Sequence, residues 1–472
     1  MEGKYDVVLI GAGVMSATLA TMLHEIRPTI DILVIESQTF PAMESSAAFN
    51  NAGTGHAGFC ELNYSVLKDD KVDISKAIGV NTAFEQSKQL WATLIQDKKI
   101  KNDFVNQVPH ISFVTGAENV SFLEKRYNAM KEHYLFQDIE FSKDFNVISE
   151  WCPLITTGRN KAEIIGATRV KRGLDVDYGN LTNQLFASLS RKVTFQFNST
   201  VNTITKSDDT WSVRWNDSFI IKTDNVFVGA GGAALTLLQK AKIPEIKKYG
   251  GFPVSGQWLI CDNQEIVKQH EAKVYGKASI GSPPMSVPHL DTRVINGKKY
   301  LLFGPYAGFS TKFLKAGKWT DLFKSINWGN LWVMIKAGLS NFGLTKYLVT
   351  EVLRTEDDKF RVLKQYYPEA KKADWKLSTA GQRVQVIKEV NGKAVIEFGT
   401  EVVGSEDGTM IGLLGASPGA STAVHIMYDV IKKMNLNLTP DEISKLDSLV
   451  VPVTIENFND IEEYTSTILG LK

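Results

Sequence analysis

Residues 5–16 read YDVVLIGAGVMS, an apolar run that ends in a glycine-rich turn. The run Tyr5 to Ile10 has the length and composition of a short buried β-strand. A helical pattern follows the turn, and a second apolar run, Ile30 to Ile35, ends in Glu36. Strand, glycine turn, helix, strand and acid in this order predict the βαβ unit of a dinucleotide-binding domain.

Each position of this unit has a physical task. Gly11 and Gly13 allow the backbone to approach a pyrophosphate at the N-terminus of the helix. Ser16 stands where a third glycine is usual and is small enough for close packing of the helix on the strand. Glu36 is placed to accept hydrogen bonds from ribose hydroxyls. We therefore predict an α/β fold (α+β overall) with a Rossmann-like domain.

Three further segments favour FAD over NAD. Residues 45–58, SSAAFNNAGTGHAG, are small enough for backbone to lie against a flat ring. Residues 193–228 predict a β-meander that enters a second glycine turn at 229–232, and residues 412–421, GLLGASPGAS, open a helix whose N-terminus would stabilise negative charge on a flavin. Glycines that recur at the beginning, middle and end of a chain are typical of an extended FAD held by a discontinuous domain. The predicted cofactor-binding residues are Gly11, Gly13, Ser16, Glu36, Asn51, Gly53, Thr54, Gly55, Gly229, Gly231, Gly415, Ser417, Pro418, Gly419 and Ala420.

Composition excludes several classes of protein. A formal net charge of +1 leaves no basic excess for a nucleic-acid binder. Cys60, Cys152 and Cys261 are too scattered for a disulfide framework or a metal site, and they favour a reducing compartment. We find neither a signal-peptide pattern nor an uninterrupted apolar run of about twenty residues. The expected location is the cytoplasm, or a membrane surface without a spanning segment.

At 472 residues the chain is too long for one ordinary core, so we expect two domains. The FAD-binding domain is predicted to comprise residues 1–75, 165–250 and 375–472. Residues 76–164 and 251–374 are predicted to form a substrate domain built on an antiparallel sheet plus helices.

Several motifs together resemble the malate:quinone oxidoreductase family, a relative of flavoproteins that oxidise 2-hydroxy acids and amino acids. They are GAGVMSAT (11–18), NNAGTGHAG (50–58), GFPVSGQW (251–258), VPHLDTR (287–293), FGPYAGF (303–309), AGQR (380–383) and the 412–421 segment. The resemblance implies oxidation of (S)-malate to oxaloacetate, a step of the tricarboxylic acid cycle, by hydride transfer to FAD. It also implies that electrons pass to membrane quinone, with the protein peripheral on the inner face of the cell membrane.

Two other functions remain open. The first is a quinone oxidoreductase or oxidase for lactate or another 2-hydroxy acid. The second is a peripheral membrane flavoprotein with a binding or regulatory role only.

The reaction requires a base near the substrate hydroxyl and cations for its carboxylates. His56, in the small-residue loop, is the first candidate for the base, and His289 is the rival. By the resemblance, Arg383 grips the substrate carboxylate. Arg293 is the candidate for the second carboxylate of malate, and Tyr306 and Gln257 complete the predicted substrate site.

Residues 313–348 combine aromatic residues with lysines and little acid. Tryptophan and lysine around an apolar stripe are typical of helices that lie in the headgroup layer of a membrane. Docking there would let a lipid-soluble quinone reach the flavin. The alternative is a pair of ordinary amphipathic helices with their tryptophans in the core.

Overall fold

Two large β-sheets and the helices that cover them form the molecule. A computed structural model describes residues 3–277, 287–340, 354–397, 399–415 and 419–471. The strands of the first sheet are β1 (Lys4–Ile10), β2 (Ile32–Ile35), β10 (Val193–Gln196), β11 (Val201–Ser207), β12 (Thr210–Trp215), β13 (Phe219–Val228), β20 (Thr400–Gly404) and β21 (Met410–Gly415). Those of the second are β6 (His110–Thr115), β7 (Glu140–Ser142), β8 (Ile165–Val170), β14 (Gly250–Cys261), β15 (Lys273–Tyr275), β16 (His289–Ile295), β17 (Lys298–Phe309), β18 (Lys376–Val390) and β19 (Lys393–Glu397).

Two short antiparallel pairs and the helices complete the described elements. The pairs are β3 (Val66–Lys68) with β4 (Lys71–Asp73), and β5 (Val105–Gln107) with β9 (Leu174–Val176). The helices are α1 (Val14–Ile26), α2 (Ser75–Gln96), α3 (Ala117–Lys131), α4 (Phe145–Trp151), α5 (Pro153–Thr156), α6 (Tyr178–Ser188), α7 (Ala234–Ala241), α8 (Gln264–Val267), α9 (Asp321–Ser325), α10 (Leu331–Ser340), α11 (Glu356–Tyr366), α12 (Ala423–Lys433), α13 (Pro440–Leu449) and α14 (Phe458–Leu469).

The first sheet has a parallel centre in the order β10–β2–β1–β13–β21. β2 and the second half of β1, from Val7 to Ile10, are buried because both faces of the sheet are covered. β13 extends beyond the parallel part and pairs with β12, which pairs with β11. The predicted meander therefore covers residues 201–228. Residues 193–196 lie elsewhere, because the chain returns through α6 and lays β10 parallel to β2.

Apolar side chains fill the space on both faces of this sheet. On one face, α1 packs against α6 and α12, with Leu19, Met22 and Met427 completely buried. On the other, Leu235 and Leu238 of α7 pack with the inner side chains of the meander. These layers hold the carboxyl ends of the parallel strands at one edge.

The second sheet has nine strands in the order β19–β18–β14–β17–β16–β15–β6–β8–β7. Its neighbouring strands are antiparallel except β15 and β6, which run parallel. The mixed α/β fold and the largely antiparallel second sheet agree with the sequence prediction.

Three strands lie in a different sheet from the one that the predicted domain pieces imply. The strands β8, β18 and β19 belong to the second sheet, although the sequence pattern groups residues 165–250 and 375–472 with the cofactor. Helix α2 packs on α12 and α14 of the cofactor-binding part. A strand pattern shows that a segment is half-buried but does not show which sheet it joins. The division into two domains stays a prediction.

None of the helices in the described part of the chain combines the length and the apolar composition that crossing a bilayer requires.

Candidate functional site

A cavity of about 450 Å³ lies where the carboxyl ends of β1, β2, β13 and β21 meet. Its volume is in the range of sites for cofactors and small ligands. In an open parallel sheet, the crevice outside these strand ends is the usual ligand site. The predicted cofactor residues in its lining are Gly11, Gly13, Glu36, Asn51, Gly53, Thr54, Gly229, Gly231, Gly415, Gly419 and Ala420.

Two glycine turns meet at the floor of the cavity. Gly11 has φ +101°, and a Cβ there would lie 2.6 Å from the carbonyl oxygen of Gly229. A Cβ on Gly229 would in turn lie 2.4 Å from Ser16 Oγ. Ser16 therefore packs behind the turns, in the close-packing place predicted for it. It lies outside the described lining of the cavity.

The acid at the end of β2 is held beside the first turn. Glu36 Oε2 accepts a hydrogen bond from the backbone N–H of Ala12 at 2.7 Å, and Oε1 accepts from that of Gln38 at 2.8 Å. Gly13 caps α1, and the N–H of Val14 donates to Ser46 Oγ at 3.0 Å. A helix N-terminus and a fixed carboxylate thus face one cavity, as a dinucleotide requires.

These observations fit FAD. The glycine turns leave no room for side chains, so backbone can lie against the cofactor. Segments from residues 10–15, 42–56, 229–237, 381–384, 413–415 and 419–421 all contribute to the lining. Ser417 and Pro418, also predicted to bind the cofactor, lie outside the described residues.

The loop at residues 50–54 is held from behind by Arg293. Gly53 has φ +59°, and a Cβ there would lie 2.2 Å from Arg293 Cζ. Nη1 of this arginine donates to the carbonyl oxygens of Ala48 at 2.9 Å and Asn51 at 2.5 Å. Its Nε lies 2.8 Å from Asp175 Oδ1. Arg293 is fully buried under the loop and outside the described lining, away from the cavity in which its predicted role at the second carboxylate would place it.

A second buried cation, Lys273, supports the same loop. Its Nζ donates to the carbonyl oxygen of Ala52 at 2.9 Å and lies 2.9 Å from Asp175 Oδ1. Burial would raise the pKa of nearby Asp291, but the charges of His289 and Lys273 outweigh it and lower that pKa. Lys273 and Asp175 were not among the predicted site residues. The one sequence signal for them is that a charged residue stands within a short strand, β15 and β9 respectively.

His56 lines the cavity and contacts a buried acid. Its Nδ1 is paired with Oε1 of Glu61, whose side chain is only 4% exposed. Burial alone would raise the pKa of Glu61, but the charge of His56 and their hydrogen bond lower it to about 2. The carboxylate is therefore ionised at neutral pH. This pairing fixes the orientation of the imidazole ring.

Arg383, on β18, also lines the cavity. Burial lowers the pKa of its guanidinium. Within the described ranges, no carboxylate lies within ion-pair distance of it, so the group is suited to an anionic ligand. The structure thus brings His56 and Arg383 to one cavity.

The other predicted site residues lie away from the described lining. His289 stacks on Tyr275 with ring centroids 4.0 Å apart, and its Nδ1 lies 2.7 Å from Asp291 Oδ2. Tyr306 is buried, and its hydroxyl donates to the carbonyl oxygen of Lys359 at 2.5 Å. The Nζ of that lysine donates to Gln257 Oε1 at 2.5 Å.

Gly55, predicted to bind the cofactor, packs against α2. A Cβ at this position would lie 2.5 Å from Phe84 Cζ. It therefore allows close packing beside the cavity and is not part of the described lining.

An exposed aromatic surface lies around α9 and α10. Trp319, Trp328 and Trp332 are 60%, 89% and 65% exposed, so these tryptophans are not core residues. Phe313, by contrast, is buried in the core beside α7. We call the exposed set the tryptophan patch; it comprises Trp319, Phe323, Trp328, Trp332, Ile335 and Leu339. Residues 341–348 of the predicted membrane segment lie outside the described part.

Comparisons with known proteins agree with this geometry. A family model described as malate:quinone oxidoreductase matches residues 3–469. A probable malate:quinone oxidoreductase of Pectobacterium atrosepticum is 50% identical over 491 residues, covering 100% of this chain and 93% of the relative. A protein of the same description from Flavobacterium psychrophilum is 51% identical over 440 residues, covering 91% of this chain and 89% of the relative.

Solved structures show the same fold at low identity. An L-α-glycerophosphate oxidase from Mycoplasma pneumoniae, with FAD bound, has a TM-score of 0.62 at 17% identity and covers 93% of this chain and 96% of its own. A glycine oxidase from Geobacillus kaustophilus has a TM-score of 0.61 at 14% identity and covers 92% and 96%. The match along nearly the whole sequence confirms the resemblance found in the motifs: the chain belongs to the malate:quinone oxidoreductase family.

Proposed function

We propose that this protein is an FAD-dependent dehydrogenase that oxidises (S)-malate to oxaloacetate and delivers the electrons to membrane quinone. One observation carries the proposal. In a chain of this family, His56 and Arg383 line the same cavity as the converging glycine turns. A base, a carboxylate-binding cation and a cofactor cradle are the parts that the reaction needs.

The cofactor is assigned to the turns around Gly11 and Gly229, with Glu36 at the ribose and the N-terminus of α1 at the pyrophosphate. The loop at 50–54 and residues 419–420 supply further backbone contacts. A bound FAD would supply the acceptor for the hydride that leaves C2 of malate and the source of the two electrons that, with two protons, reduce quinone to quinol.

His56 is proposed as the base that takes the hydroxyl proton of malate. With Nδ1 held by Glu61, Nε2 is the ring nitrogen through which it would act on substrate. The rival, His289, is stacked on Tyr275 and paired with Asp291 outside the described lining, which favours His56.

Arg383 is proposed to bind the substrate carboxylate through its planar guanidinium, which matches a carboxylate with two parallel hydrogen bonds. Arg383 is half-buried, and this partial desolvation strengthens the attraction because it reduces the screening of the charge by water. A bound anion would also compensate the desolvation of the guanidinium. The second carboxylate of malate is not assigned to Arg293, whose donors are engaged by Asp175 and the loop.

The tryptophan patch is proposed to lie in the headgroup layer of the cell membrane, on its cytoplasmic face. Exposed lysines, among them Lys318, Lys324 and Lys336, surround the patch and would attract anionic lipid. Aromatic side chains suit the interface because they combine apolar area with polar edges. This contact would give a lipid-soluble quinone a short route to the protein.

The function is tested by malate-dependent reduction of a water-soluble quinone by the purified protein. We expect quinone reduction with (S)-malate and much slower reduction with lactate, which has one carboxylate. Faster turnover of lactate would transfer the assignment to a lactate:quinone oxidoreductase. Reduction of oxygen at the same rate in the absence of quinone would indicate an oxidase.

A further inference from the structure

One short segment carries both His56, which lines the cavity, and Glu61, which lies outside the described lining. Several hydrogen bonds hold the backbone of this segment. Asn81 Nδ2 donates to the carbonyl oxygen of Ala57 at 2.8 Å. The guanidinium of Arg126 donates from Nη2 to the carbonyl oxygens of Gly58 and Phe59, each at 2.9 Å, and from Nε to Ser65 Oγ at 3.1 Å. The backbone between the histidine and the acid is therefore fixed, and so is the relation of their side chains.

Of the titratable groups described around Glu61, His56 is the one that pairs directly with its carboxylate. Burial lowers the pKa of His110 to about 4 and that of Arg126 to about 10, so at neutral pH His110 is neutral and Arg126 is a cation. Burial also raises the pKa values of Cys60, Tyr64 and Tyr275 well above their usual range, so these three groups are uncharged. Among these neighbours, the imidazole of His56 is the one within ion-pair distance.

We infer that Glu61 is a positioning residue for the proposed reaction: its carboxylate accepts the Nδ1–H of His56 and so directs the basic Nε2 toward the substrate. The inference rests on the proposed function, in which His56 takes the proton. Glu61 lies outside the described lining of the cavity, so it would act through the ring. Burial makes the pairing effective, because a charge attraction inside the protein is poorly screened.

Transfer of the malate hydroxyl proton to His56 gives the Glu61 carboxylate a second role. As malate is oxidised, its O–H bond breaks and a new N–H bond forms at Nε2, while the C2 hydrogen leaves as hydride, for which bound FAD would be the acceptor, and the carbonyl of oxaloacetate forms. The ring thereby becomes a cation beside the Glu61 carboxylate, which stabilises the charge without taking the proton. Replacing the acid by an amide keeps the shape and removes this stabilisation.

The test is Glu61→Gln, assayed for malate-dependent quinone reduction across the pH range. We expect kcat to fall at least about tenfold while KM changes little, because the lost interaction belongs to proton removal. The acid limb of the kcat/KM profile should move to lower pH, since the protonated ring loses its anionic partner. Bound flavin should be retained.

A double-mutant cycle separates positioning from a structural role. In a His56→Asn background, Glu61→Gln should cost almost nothing further, because both changes remove the same function. The matched control is Glu85→Gln, another fully buried glutamate, which is paired with Lys88 and lies outside the described lining. It should leave the pH profile unchanged.

Three results would overturn the inference: an unchanged pH profile in Glu61→Gln, a full additional loss in the His56→Asn background, or loss of flavin from the single variant. Failure of the proposed function is distinguishable, because the parent protein would then not oxidise malate, and failure of the role of His56 would leave His56→Asn active. If that variant is inactive and Glu61→Gln is like the parent, only the role of Glu61 is wrong.

Discussion

Arg383 is the residue on which substrate recognition should depend. Replacing it with alanine removes the guanidinium that is proposed to hold the substrate carboxylate, and we expect kcat/KM for malate to fall at least about tenfold. Flavin content should be unchanged, because Arg383 is proposed to bind the substrate, whereas the cofactor is assigned to the glycine turns. Steady-state kinetics and the visible flavin spectrum check both parts. Arg214→Ala, at an exposed position on the meander, is the control, and equal kinetics for the two variants would remove Arg383 from the site.

Gly53 tests the support of the cofactor loop. Alanine there would meet Arg293 Cζ at 2.2 Å in addition to adopting φ +59°. Gly297→Ala is a matched control with φ +75° and open space around the new Cβ, where the backbone cost alone is about 1 kcal/mol. We expect Gly53→Ala to lower the melting temperature further than Gly297→Ala and to lose flavin. Equal melting temperatures and full flavin occupancy would show that the loop does not depend on the packing of Arg293.

The partners of single residues could not be predicted from the sequence. The pairing of Arg293 with Asp175 joins distant parts of the chain, so a strand arginine read alone looked available for substrate. Glu61 was missed for a related reason. A glutamate five residues after a histidine becomes its partner only when the intervening backbone turns back, and that turn depends on Arg126 and Asn81.

Among the elements, α9 and α10 carry the proposed membrane contact. Replacing Trp328 and Trp332 together with serine should release the protein from vesicles that contain anionic lipid, because the pair supplies much of the exposed aromatic area. Co-sedimentation measures the effect. Phe219→Ser with Ile220→Ser, an exposed apolar pair on the meander, should leave binding intact. Undiminished sedimentation of the tryptophan variant would assign the contact to another surface.

Local elements were predictable and their partners were not. The unit from β1 to β2 follows from apolar runs, a glycine turn and an acid, all within 36 residues. The meander of β11 to β13 was recognised for the same reason. By contrast, β8 and β18 give ordinary strand patterns, and their place in the second sheet is set by contacts with β6 and β14.

Buried histidines should make the whole molecule sensitive to acid. Burial lowers the pKa values of His110 and His270 to about 4, below the usual 6.5. Since the unfolded chain binds these protons first, the stability contribution is complete above about pH 6.5 and is lost as the pH falls toward 4. We expect the melting temperature to fall across this interval and to fall less steeply in His270→Gln.

The control for this titration is His425→Gln, at an exposed position on α12. Its melting temperature should depend on pH as that of the parent does. If His270→Gln has the same slope as the parent, the acid sensitivity arises from other groups.

At the scale of the whole molecule, the converging glycine segments were predictable because each has its own local signature. Their meeting at one cavity follows from the parallel order of β2, β1, β13 and β21, which no single segment reveals. The placement of His56 and Arg383 in the lining agrees with the sequence prediction, while their catalytic roles stay predictions.

The central claim is that these segments hold an FAD that malate reduces. Its most direct test is the visible spectrum of the purified protein during an anaerobic titration with (S)-malate, followed by addition of quinone. We predict about one flavin per chain, bleaching by malate, and recovery of the colour with quinone. Protein that stays colourless when supplied with FAD, or a bound flavin that malate leaves oxidised while lactate bleaches it, would contradict the account.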